Sequence, residues 1–274
     1  MKKIILTFKI IEGYNSNLGT NQKSKSTKET YIRYVRNFIN SNLGCELTKE
    51  LILNYVETLN SEKNYSSTTK NVIYAAMNSF LEFTNFPNFK LKPIKIQAKN
   101  FRDDGKDLTK TEYETLIEKV TCSELKLLIQ TLASTGMRVS ELKFLTLSNL
   151  KNGQIKILNK GTERIVILPR KLCEQLKIYS LQKRIHPSEK IFKLTRQQIW
   201  RKLKKLGSET SISSEKLFPH NFRHLFAKLY FEKTKNINEL ANLLGHKNIN
   251  TTMIYMKHPV SYVRDSVERL RLIA

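Results

Sequence analysis

PHNFRHLFAKLYFEKTKNINELANLLGHKNINTTMIY, running from Pro219 to Tyr255, is the stretch around which the rest of this chain is read. Proline at its start and apolar residues at helical spacing predict a helix over 220–234. A second is expected over 237–244, ended by Gly245, and a third over 248–255. The stretch holds three of the chain's five histidines, an arginine between two of them and a tyrosine at its end. Cations and imidazoles at this density suit the grip and polarisation of a phosphate. The Tyr255 hydroxyl would be the nucleophile that attacks it.

Within the first helix, His220 and Arg223 stand three residues apart on one side, near the positive helix end, and suit one phosphate with two non-bridging oxygens. His224 points partly elsewhere and reads as a structural or supporting residue. Gly245 leaves His246 exposed just past the second helix. A tyrosine is ordinarily a packing residue; Tyr255 stands out by its place nine residues after His246. A metal site is not expected, because the histidines form no HExxH and no carboxylate or cysteine stands at ligand spacing.

Outward from this stretch, two more islands carry chemistry. In TGMRVSEL, Gly136 turns the chain sharply after a core helix expected over 125–133 and presents Arg138 at the start of a short helix reaching about Leu145. Glu141 lies within reach of Arg138; taken alone, the two equally fit an ion pair on a helix surface. Residues 153–158 and 164–168 alternate, are rich in Ile and Val, and predict a β-hairpin with Lys160 in its turn. A lysine there is ordinarily just solvated, and can also reach a substrate and donate a proton.

The remaining chain reads as mainly α. Residues 1–24 are unassigned, with a short strand conceivable over Ile4–Ile11 and a polar loop over Gly13–Ser26. Residues 25–88 predict a small helical bundle. Ser26 and Glu29 form a capping box for its first helix, the second begins after Thr48, and the third begins near Ser66 and carries Val72, Ile73, Met77 and Phe80. Residues 89–107 are basic and proline-containing and read as an extended linker, equally that of a wrapped duplex or an ordinary exposed connector. Residues 108–258 form the second domain, opened by a Thr109–Glu112 cap, with further helices over 170–181 and 195–206. Residues 259–274 are an amphipathic tail with Val260, Val263, Val267, Leu270 and Ile273 as apolar contacts, either on its own domain or on a neighbouring subunit.

Composition narrows the partner. Lys and Arg number 48 against 24 Asp and Glu, a net charge of +24, which points to a polyanion such as nucleic acid. The surplus is uneven: residues 1–107 hold 17 basic and 10 acidic residues (net +7), and residues 108–274 hold 31 and 14 (net +17). Lysine-rich codon usage would also raise such a number, but it does not place arginines and histidines. Three scattered cysteines without a CxxC pair argue against a disulfide framework or zinc knuckle. No apolar run approaches the ~18 residues of a membrane span, and MKKIILTFKII lacks a full signal-peptide core. A cytoplasmic, nucleoid-associated protein is the expectation.

Taken in order, Arg138 in TGMRVSEL, Lys160 in a hairpin, His220-x-x-Arg223-His224, LLGH ending at His246 and TTMIY ending at Tyr255 resemble the tyrosine recombinases, the family of phage and transposon integrases and Xer-type resolvases. The resemblance covers residues 108–274, and less specifically the helical N-terminal part. Asn159 stands where the family commonly has glycine, which leaves the lysine in place.

The resemblance implies a two-domain, C-shaped DNA clamp made of an α-helical core-binding domain and a mainly α catalytic domain with a small sheet. It implies that Tyr255 forms a 3′-phosphotyrosyl bond, Arg138 and Arg223 stabilise the phosphorane-like transition state, and His220 and His246 assist at the nucleophile. Lys160 would protonate the 5′-oxygen, and Glu141 would support Arg138. Because the covalent link conserves bond energy, no metal or nucleotide cofactor is implied. The partners implied are double-stranded DNA with paired short sites, a homotetramer on that DNA through a Holliday junction, and an accessory DNA-bending or activating protein. The competing readings are a type IB topoisomerase-like enzyme, which would relax DNA of any sequence without exchanging strands, and a non-catalytic DNA-binding protein on the same scaffold.

Overall fold

The computed structural model describes residues 3–62, 65–97, 105–150, 152–159, 162–246 and 248–257, together with 262, 264 and 267–269. It divides into two compact units, Met1–Ala98 and Lys99–Ala274. The described residues are mostly helical, with one two-stranded antiparallel sheet.

The first unit is built from α1 (Phe8–Thr20), α2 (Lys25–Ser41), α3 (Lys49–Ser61) and α4 (Ser67–Phe83). Its core collects Leu6, Tyr14, Leu18, Phe38, Ile39, Met77 and Phe80. Helix α1 corrects the expectation of a strand followed by a loop. Only Ile5 takes part in strand-like pairing, an isolated bridge to Glu46, and the chain turns helical from Phe8. Ile11, Tyr14 and Leu18 supply a buried stripe at helical spacing, while Asn15, Ser16 and Thr20 face outward. Burying that stripe outweighs the weak helix propensity of Gly, Asn and Ser.

The same helix moves the next cap. The Lys23 amide donates to the Leu18 carbonyl as α1 closes, so the chain leaves extended at Ser24. Ser24, rather than the expected Ser26, accepts from the Thr27 amide. Thr48 and Ser66 cap α3 and α4 as expected. Val72 does not join the core, being 38% exposed.

Beyond a 3-10 turn at Pro87–Phe89, residues 90–97 are extended and lie along α4. Asn78 donates to the Leu91 carbonyl (2.9 Å) and accepts from its amide (2.7 Å), and Asn71 does the same with Ile94 at 2.9 and 2.7 Å. Each asparagine side chain thus pairs with the extended segment as a neighbouring strand would.

The second unit begins with α5 (Lys110–Lys119), whose Thr109–Glu112 capping box is complete. Helix α6 (Ser123–Thr135) buries Leu128, Ile129 and Leu132 fully, each side chain contributing about 1.5–3 kcal/mol of apolar burial. It ends on left-handed Gly136, and a 3-10 turn follows at Val139–Phe144. Strands β1 (Gln154–Asn159) and β2 (Thr162–Ile167) pair with Ile155 opposite Val166 and Ile157 opposite Arg164. Then come α7 (Arg170–Gln182), α8 (Arg196–Ser208), α9 (Pro219–Thr234) and α10 (Ile237–Leu244). The helix expected over 248–255 is instead a short α11 (Asn250–Met253) continuing into a 3-10 turn, Ile254–Met256.

Helix α9 packs on α6, and α10 packs on β2 and α9. Of the apolar contacts expected in the 259–274 tail, Val260, Val263, Leu270 and Ile273 lie outside the described residues. Among the described residues no helix is long and apolar enough to cross a membrane.

Candidate active site

Five of the six residues singled out as chemically active are described, and they come from four different segments of the second unit. Lys160 falls between β1 and β2 and lies outside the described residues. Arg138 caps the 3-10 turn after α6, His220 and Arg223 stand in the first turns of α9, His246 follows α10, and Tyr255 sits in the last 3-10 turn.

Arg223 is the centre of the arrangement. It is 1% exposed, and its guanidinium donates from Nη1 to the Gly136 carbonyl (2.5 Å) and from Nη2 to the Leu244 carbonyl (2.7 Å). Both acceptors are at or beside a helix end, where carbonyls lack an intrahelical partner and the helix dipole is negative. Burial, with the nearby Arg138 charge, lowers the Arg223 pKa to about 10, opposed by hydrogen bonding with Tyr255. The group stays cationic at neutral pH.

The same Nη2 lies 2.9 Å from His246 Nε2, and His246 Nδ1 lies 2.8 Å from Thr252 Oγ1. A guanidinium only donates, so Nε2 accepts and the ring proton sits on Nδ1, donating to Thr252. Burial first, then the charges of Arg223, Arg138 and Arg164, hold the His246 pKa down at about 4. His246 is therefore a neutral imidazole of defined tautomer.

Tyr255 is buried at 7% exposure and its ring is surrounded by imidazoles. His224 stands edge-on with ring centroids 4.5 Å apart, His246 is stacked at 5.8 Å, and His220 is tilted at 6.4 Å. His224, read from sequence as pointing partly elsewhere, has the nearest ring of the three. Apolar packing from Ala227, Leu240 and Leu244 holds the tyrosine from behind.

Arg138 sits on the open side, with its side chain 37% exposed. Glu141 accepts from the Arg138 backbone amide (2.8 Å) and from its Nη1 (2.9 Å), which orients the guanidinium. A cleft lined by Arg138, His220, Arg223 and half-exposed Trp200 opens beside them. An anion entering that cleft meets two guanidiniums and an imidazole. Among the described residues, no group of three or more His, Cys, Asp or Glu is placed to hold a metal ion.

Three participants were not picked out in the sequence. Arg164, on β2, donates to Glu141 Oε2 at 2.5 Å and to the Leu243 carbonyl at 2.6 Å. Thr252 sets the His246 tautomer, and Trp200 lines the cleft. Arg164 had a legible signal: it occupies the inward register of β2 with Val166, where an apolar residue is the norm. Thr252 had none, since only the turn from α10 into α11 brings it back to His246.

Residues 106–261 match the model of the phage integrase family. The tyrosine recombinase XerA of Thermococcus onnurineus is 31% identical over 96% of this chain and 96% of its own length. Among solved structures, the XerH site-specific recombinase bound to difH substrate superposes with a TM-score of 0.68 at 22% identity, covering 86% of this chain and 78% of that one. A lambda integrase dimer bound to a COC′ core site gives 0.68 at 17% identity, covering 93% and 95%.

Proposed function

This chain belongs to the phage integrase family as a tyrosine-type site-specific DNA recombinase, and from that premise we propose that Tyr255 is its nucleophile and that the surrounding cations hold the scissile phosphate. The observation that carries the reading is the placement of the Tyr255 ring among three imidazoles and against a guanidinium that three acceptors hold still. A donor fixed before the reaction stabilises developing charge without reorganising.

In the proposed step, the Tyr255 oxygen forms a bond to the phosphorus of a DNA backbone. The bond from phosphorus to the 5′-oxygen breaks, leaving a 3′-phosphotyrosyl link and a 5′-hydroxyl. Arg138 and Arg223 bind the non-bridging oxygens as charge builds on them. His220 adds a hydrogen bond at the reacting centre and takes up the Tyr255 phenol proton, while His246, whose two nitrogens face Arg223 and Thr252, fixes the Arg223 guanidinium. Lys160 supplies the proton for the departing 5′-oxygen, and Glu141 keeps Arg138 aimed. Religation reverses the sequence with a 5′-hydroxyl from the partner strand, so the bond energy is kept and no nucleotide cofactor is consumed.

The partner is duplex DNA carrying paired short sites, acted on by four copies of the chain through a Holliday junction, with an accessory DNA-bending or activating protein. The first unit, Met1–Ala98, which takes in α1 and the segment held by Asn71 and Asn78 besides residues 25–88, is the core-binding domain. The second, Lys99–Ala274, is the catalytic domain, with residues 259–274 a tail docking on a neighbouring subunit. The biological outcome is integration or excision of a mobile element, or resolution of the Xer kind. The net charge of +24 supports the DNA assignment.

Covalent trapping tests the chemistry. Wild type and Tyr255→Phe are incubated with DNA fragments flanking the protein's own gene and then denatured in detergent. A protease-sensitive protein–DNA adduct is expected from wild type alone. An adduct from Tyr255→Phe would move the nucleophile to another residue.

A further inference from the structure

Arg164 forms a buried bridge between two parts of the site that are far apart in sequence. One of its nitrogens holds Glu141, whose other oxygen orients Arg138; the other holds Leu243 O at the end of α10, three residues before His246. Arg164 and Glu141 side chains are 7% and 2% exposed. Glycine at 245 makes room for this side chain. A Cβ there would stand 2.5 Å from Arg164 Cδ, and the backbone already takes φ +64°.

A buried ion pair is a poor source of fold stability, because desolvating both charges offsets most of their attraction, and an apolar pair of the same volume often serves as well. Such a pair, buried between two segments of the site, is better accounted for by what it positions. Resting on the recombinase reading of the site, we propose that Arg164 is a positioning residue for DNA cleavage. It ties the Glu141–Arg138 arm to the C-terminal end of α10, so that Arg138, Arg223 and His246 meet the phosphate as one rigid set. Arg223 takes the adjacent carbonyl, Leu244 O, so the two arginines together fix the end from which His246 projects.

The test compares Arg164→Met and Arg164→Lys with wild type and Tyr255→Phe on a DNA fragment that wild type traps. DNA affinity and the single-turnover cleavage rate at saturating protein are measured separately. Arg164→Met is expected to cleave about a hundredfold more slowly, the cost of a displacement of about an ångström in a reacting set, with affinity within about twofold of wild type. Arg164→Lys should fall between the two, since one ammonium replaces two separately aimed nitrogens.

A purely structural role would lower the amount of folded protein and leave the rate of the bound fraction unchanged. Cleavage by Arg164→Met at the wild-type rate, or a loss matched by weaker binding, overturns the proposal. If Arg164→Met does not fold, Arg164→Lys decides: a wild-type rate overturns the proposal and a slowed rate at full affinity supports it. An adduct from Tyr255→Phe would instead bring down the underlying reading of the site.

Discussion

His246 is held in one protonation state by its neighbours, and that has a measurable consequence. Its ordinary pKa of 6.5 falls to about 4 in the folded protein, chiefly through burial and then through the Arg223 charge. In the window between those values the unfolded chain binds a proton that the folded chain does not. Stability therefore rises with pH across the window. The contribution of the neutral ring is complete above about 6.5, falls as the pH drops, and levels off below about 4. Denaturant unfolding of wild type and His246→Gln as a function of pH checks this. Their stability difference should be constant above the window and should shift against wild type within it. A flat difference from end to end would mean that His246 is not held neutral. Protonation would also place an Nε2 donor against the Arg223 donor 2.9 Å away, so the ring and the guanidinium come apart together.

At the scale of elements, the boundary of the first unit depends on two asparagines. Asn71 and Asn78 are two turns apart on α4, about 10.5 Å at 1.5 Å per residue. Leu91 and Ile94 are three extended residues apart, about 10 Å at 3.3 Å per residue. That match lets both side chains form two-way backbone pairs with the segment, and it also seats Leu91 and Ile94 against the core. Asn78→Ala removes two hydrogen bonds from partly buried backbone groups and should destabilise the unit by about 1–3 kcal/mol. Hydrogen exchange across residues 86–97 should rise most at Leu91 in that variant. Unchanged exchange there would show that apolar contacts alone hold the segment.

For the whole molecule, the charge surplus governs how DNA is met. Each phosphate neutralised by Lys or Arg releases counterions, so the logarithm of affinity falls linearly with the logarithm of salt, by about 0.9 per phosphate on duplex DNA. A chain of net charge +24 should show a steep slope, measurable by fluorescence anisotropy on a labelled duplex. Charge-neutralising variants of surface lysines should reduce that slope one step at a time. Affinity indifferent to salt would leave the surplus unexplained by DNA.

Much of this molecule was legible in its residues, because the signals concerned are local. The α6–Gly136–Arg138 turn, the hairpin, the Thr109 cap and the first two helices of the 219–255 stretch follow from spacing, capping and glycine placement, which act within a few residues. Candidates for the chemistry could also be picked out by residue type, since few types can grip a phosphate and attack it, and the fold brings Arg138, His220, Arg223, His246 and Tyr255 together. Helix α1 was missed because its sequence favours a loop, and only packing of Ile11, Tyr14 and Leu18 against the other helices makes it helical. The single proton of His246 and the imidazole setting of Tyr255 were equally beyond reach, as were the partners of Arg164, whose inward place on β2 was itself legible. Each depends on a carbonyl, a hydroxyl or a ring brought from a distant segment: Gly136 to Arg223, Leu243 to Arg164, Thr252 to His246. Residue types and short-range order are properties of the chain itself. Which donor faces which acceptor is decided only when the helix ends and the hairpin pack together.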